Sequence, residues 1–94
     1  MARLSHAARD LLMAVYRGAE LRRGYDTASE QRNVVWWLDG SMLESFDAPQ
    51  ELLDQDLLQK RPLGEAIMAT PGGYVVLLSP SGKSEAAHLE AAPL

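Results

Sequence analysis

The stretch NVVWWLDGSMLESF, residues 33–46, restricts the fold of this chain more than any other segment. Val34, Val35, Trp36, Trp37 and Leu38 are contiguous and mostly β-branched or aromatic, which favours an extended strand. Asp39-Gly40 follows at once, with more apolar residues behind it, and that pairing is the strongest short-range hairpin signal a sequence carries. A two-residue turn sets Leu38 opposite Ser41, Trp37 opposite Met42, Trp36 opposite Leu43 and Val35 opposite Glu44. Val34, Trp36, Leu38 and Leu43 then share one face, and Val35, Trp37, Met42 and Phe46 the other. A competing signal lies upstream, where Thr27 and Glu30 have capping-box spacing and offer a helix across positions 28–38. The run of β-branched and aromatic residues decides for the hairpin.

Neither face of that hairpin is polar, whereas a small antiparallel sheet normally keeps one face wet. Each tryptophan can bury on the order of 200 Å². At about 25 cal/mol per Å², exposing one forfeits several kcal/mol. The ribbon is therefore either enclosed by the rest of the chain or covered by another molecule. On the second reading, the partner-binding residues are Val35, Trp37, Met42 and Phe46, rimmed by Glu44 and Arg32.

The remaining elements follow from periodicity. Leu4, Ala7, Ala8, Leu11, Leu12, Val15, Tyr16 and Ala19 recur at three and four spacings, which predicts a helix from Ser5, its N-cap, to Arg23, with Gly24 as the stop. Met13 interrupts its polar face, and His6 pairs with Asp10 one turn on. A second helix opens at Asp47, with Pro49 in its first turn and Leu52, Leu53, Leu57 and Leu58 on its apolar side, and Pro62 ends it. Glu51, Asp54, Gln55 and Asp56 face water, and Asp56 is placed to pair with Lys60. Gly72-Gly73 reads as the turn of a second hairpin, whose later strand, Tyr74 to Leu78, is apolar throughout and expected to be buried on both faces. Pro80-Ser81-Gly82 closes that strand, and residues 84–94 form a tail with room for a short fraying helix.

Ninety-four residues, 47% hydrophobic and 23% charged, make one globular domain spanning residues 1–94. There is no cysteine, so no disulfide and no thiolate metal site. No segment reads as a signal peptide or a membrane span, which places the protein in the cytoplasm with no membrane partner. The net charge of −4 is uneven. Residues 1–32 carry six arginines against four acids, and residues 33–94 carry three cations against nine acids. The acidic part repels polyanions; the arginines of the first part can meet one.

Catalytic signatures are missing from the sequence. SPSGKS, residues 79–84, ends like a phosphate-binding loop, but the glycine such a loop needs five residues before Gly82 is Leu77. The two histidines, His6 and His88, have no convergent ligand spacing for zinc or for acid–base work. Glu51, Asp54 and Asp56 lie along a solvent face where nothing desolvates them. No serine sits in a nucleophile elbow. The chain is read as a non-enzyme without cofactor or metal.

The segment from Asp47 to about Leu89 resembles the end of a winged-helix DNA-binding domain of the MarR type. LLDQDLLQKRPL stands where the recognition helix and its exit lie, EAIMATPGGYVVLLSPSGKSEAA where the wing and its closing turn lie, and LSHAARDLLMAVY is similar to the usual first helix. The resemblance implies a winged helix-turn-helix and a transcriptional regulator whose phosphate contacts fall to Lys60, Arg61 and Lys83 with Arg22 and Arg23. The residues themselves favour a different expectation. That is a small α+β domain with two helices and an antiparallel sheet of two hairpins, acting as a non-catalytic adaptor or inhibitor of another protein or as a homodimer. Small acidic inhibitors of phage or mobile elements share this size and charge.

Overall fold

The computed structural model describes residues 4–26, 33–59, 64–70 and 72–91. In chain order these form α1 (His6–Tyr16), β1 (Leu21–Tyr25), β2 (Val34–Leu38), β3 (Ser41–Met42), α2 (Asp47–Asp54), α3 (Glu65–Ala69), β4 (Tyr74–Val76) and α4 (Pro80–Ala91). The domain is α+β, with one four-stranded antiparallel sheet ordered β3-β2-β1-β4.

The β2–β3 hairpin forms with the predicted turn and register, but β3 ends at Met42, so the expected Val35–Glu44 pair is not part of the ladder. Leu38 pairs with Ser41 and Trp37 with Met42, and Leu43 N–H donates to the Trp36 carbonyl. Asp39 (φ 49°) and Gly40 (φ 86°) both sit at positive φ, the signature of the tight turn whose twist matches the strands. The Asp39 side chain and backbone bond Glu20, so the turn is also tied to the entry of β1.

The first helix is shorter than its periodicity predicts. It stops at Tyr16 because Gly18, at φ 110°, takes a left-handed cap. Gly18 N–H donates to the Val15 carbonyl and Ala19 N–H to the Ala14 carbonyl, the two bonds of a Schellman motif. Arg22, Arg23 and Gly24, expected at a helix end, are instead the middle of β1, paired with β2 on one side and β4 on the other. Partners on both edges outweigh the weak strand propensity of this segment.

Four helices replace the expected two, and the second hairpin is absent among the described residues. Glu65–Ala69 is α3 where a strand was expected, and β4 takes β1 as its partner across about 50 positions. Tyr74 to Leu78 is not buried on both faces but alternates: Val76 (3% exposed) and Leu78 (4%) point inward, Val75 (41%) and Leu77 (48%) outward. Helix α2 ends at Asp54, short of Pro62, with Asp56 at φ 59°; Lys60, the expected partner of Asp56, lies outside the described residues.

Pro80-Ser81-Gly82 is the first turn of α4 rather than a closing turn. Ser79 caps it: its hydroxyl accepts from Gly82 N–H at 3.0 Å and donates to the Asp56 carbonyl at 2.6 Å. Pro80 then occupies the position where a missing N–H costs nothing. The segment 84–91, expected as a tail with room for a short helix, completes this helix and buries Ala86.

One face of the sheet carries the core. Leu21, Trp36 and Val76 meet Ala8, Leu11 and Leu12 of α1, Leu52 of α2 and Ala86 of α4. Met13, read as a break in the polar face, packs against this cluster. The other face carries α3, marked by Gly24: a Cβ there would lie 2.8 Å from Gly73 Cα and 2.9 Å from the Met68 carbonyl oxygen.

The start of α1 meets the middle of α2. Ser5 caps α1 by accepting from Ala8 N–H at 3.2 Å, and the Glu51 carboxylate of α2 accepts from Ser5 N–H at 2.7 Å. Glu51, read as a solvent-facing acid, thus closes the start of α1. Ser5→Ala should cost about 1 kcal/mol, measured by urea denaturation, with an unchanged dependence on denaturant.

Candidate functional site

The pairing register builds one row of side chains across the outer face. Met42 pairs with Trp37, Trp37 with Arg22, and Arg22 with Val75, so all four strands contribute one residue each. Alternation along the strands fixes the row on the face opposite the core. Met42 is 50% exposed and Val75 41% exposed, Trp37 is half-buried, and Leu77 and Ile67 of α3 are likewise open to solvent. Arg22 interrupts this apolar surface, held by its Nε bond to Glu20 at 2.7 Å and by a longer one from Nη1 to the Gly72 carbonyl.

The two tryptophans therefore part company. Trp36 is 2% exposed in the core, and Trp37 looks outward. Two of the expected contact residues are corrected by this geometry. Val35 is 4% exposed, on the outer face beside Gly24 where α3 packs, and is closed to a partner. Phe46 leaves the hairpin face altogether, precedes α2 and packs against the core. Glu44 is exposed, and Arg32 lies outside the described residues.

Among the described residues, the cations of the DNA-binding reading, Arg22, Arg23 and Lys83, do not converge. Arg22 is on the outer face. Arg23 is on the core face, its guanidinium 5.3 Å from the Trp36 ring centroid and its Nη1 donating to the Tyr74 hydroxyl at 3.3 Å. Its Nε is buried with no hydrogen-bond partner among the described residues. Lys83 is exposed on α4, and Lys60 and Arg61 lie outside the described residues. Residues 34–38, where that reading needs a helix, are strand β2.

No chemistry-bearing cluster forms in the described residues. His6 pairs with Asp10 at 3.3 Å on the open face of α1, as its spacing predicts, and both side chains are largely exposed. His88 is exposed on α4. No group of three or more His, Asp or Glu side chains is arranged to hold a metal ion among the described residues, and no helix there is long and apolar enough to cross a membrane. No family model matches the sequence, and no curated protein or solved structure matches the chain.

The sequence did not reveal that Val75 and Leu77 join the hairpin's outer residues. Alternation within YVVLL was hidden because every residue in it is apolar.

Proposed function

We propose that this protein acts without catalysis, as a small adaptor or inhibitor that binds another protein through the outer face of its sheet. The observation that carries this reading is the row Met42–Trp37–Arg22–Val75, extended by Leu77 and Ile67 and left uncovered by the chain's own described helices except where α3 sits. A half-buried tryptophan and an arginine among aliphatic residues match the composition of contact hot spots. Apolar side chains gathered on one face mark a contact surface, whereas the same residues scattered singly would not. The reading keeps the protein in the cytoplasm, in keeping with a chain that has no cysteine.

Met42→Asp and Val75→Asp test it, because both residues are open and neither fills the core. Each should abolish co-purification of a specific partner, or self-association in sedimentation runs from micromolar to millimolar protein, while leaving the melting temperature within a few degrees of wild type. Complexes that persist undiminished in both variants would remove this face from consideration. Salt-sensitive shifting of duplex DNA by the wild-type protein would favour the regulator reading instead.

A further inference from the structure

A second open feature lies on the helical side of the sheet. The α1 and α2 helices pack together, and beside them the exit of the β2–β3 hairpin leaves a trough of about 740 Å³. Its floor is Ala7, Leu11 and Ala14 of α1, with Leu38, Leu43 and Ala48. The three α1 residues follow i, i+4, i+7 spacing, so the floor runs along the helix for about 10 Å at 1.5 Å per residue. The alanines keep it low enough for a backbone to come close.

The described rim has one sign of charge. Asp10, Glu44, Asp47 and Glu51 border the trough from α1, from the hairpin exit and from α2, and among the described residues no lysine or arginine lines it. Glu51 is partly engaged by Ser5 N–H and Asp10 by His6; Glu44 and Asp47 are exposed. A long apolar floor between acidic banks is complementary to a helix with an aliphatic stripe flanked by lysine and arginine. A compact ligand would instead call for converging polar donors, and among the described residues the trough's side-chain polar groups are carboxylates and the Ser5 and Ser45 hydroxyls.

We infer that this trough is a docking site for a basic amphipathic helix of a partner protein. The site is separate from the outer sheet face and does not depend on the function proposed for it.

The test uses the full-length protein and a fluorescein-labelled peptide of about 18 residues, long enough to hold a helix, with leucines at i, i+4, i+7 and i+11 and lysines flanking them. Its twin carries glutamate in place of each lysine. Fluorescence anisotropy should show saturable binding of the basic peptide and at least about tenfold weaker binding of the acidic one. Glu44→Lys with Asp47→Lys should weaken the basic peptide by about tenfold or more. Ala7→Trp, at an exposed floor position, should do the same by filling the trough, with circular dichroism reporting an intact fold. The inference is overturned if the basic peptide does not saturate, if both peptides bind equally, or if Ala7→Trp binds like wild type. The last result would mean adhesion to surface charge alone. Loss of this binding in Met42→Asp would assign the peptide to the sheet face instead.

Discussion

Gly82→Ala should lower the melting temperature by about 8–16 °C, equivalent to about 2 kcal/mol in a domain of this length. The sign is opposite to the usual one, because alanine inside a helix is ordinarily favoured over glycine by about 1 kcal/mol. Here the first turn of α4 lies directly against the backbone of residue 57. A Cβ on Gly82 would collide with the Leu57 carbonyl oxygen. Neither side can retreat easily. Ser79 N–H bonds that same carbonyl, Ser79 Oγ bonds the Asp56 carbonyl, and Leu58 bridges to Leu78. Relief would have to break this small knot or lift α4 and its buried Ala86 off the core. Ser84→Ala, on an exposed position of the same helix, is the control and should leave the melt nearly unchanged. A Gly82→Ala protein that melts at or above the wild-type temperature would show that the helix has room to move.

The second large effect separates the adjacent indoles. Trp36→Ala should cost about 3–5 kcal/mol, a large part of the 5–15 kcal/mol that holds a small domain together. The ring is enclosed by its own chain and carries the Arg23 guanidinium over its face. Its removal leaves both a cavity and a partly buried cation without its aromatic partner. Chemical denaturation should find the variant largely unfolded at low denaturant. Trp37→Ala, one residue along and half-exposed, should keep a cooperative transition at a loss of about 1–2 kcal/mol. Equal losses at the two positions would contradict the assignment of the faces.

The hairpin was legible because its information is local. Turn chemistry fixes Asp39-Gly40, and the register follows by counting. The end of α1 was not legible in the same way. Arg22, Arg23 and Gly24 have no strand character of their own and become β1 because Trp37, Trp36 and Val35 wait on one side and Val75 and Tyr74 on the other. Helix α3 has only five residues, too few for periodicity to declare itself. The start of α4 was within reach, since Ser79-Pro80 is an N-cap followed by a proline at the first helical position. Of the candidate surface, Trp37 and Met42 could be placed by register alone. Val75 could not, because its place in the row depends on a pairing partner about 50 residues away. The acidic trough draws on three separated segments, and none of them carries the pattern alone.

Of the two inner strands of the sheet, β1 has one neighbour near it in sequence and one far away. During synthesis β2 emerges soon after β1 and can pair with it at once, with β3 adding to the far edge of β2, whereas β4 arrives about 50 residues after β1. Closing that distance carries the larger loop entropy. Until Tyr74–Val76 docks, one side of β1 presents unsatisfied backbone groups, and the notch at Gly24 has no Gly73 to fill it. A nascent or truncated chain ending before β4 therefore exposes a ready template for a foreign strand.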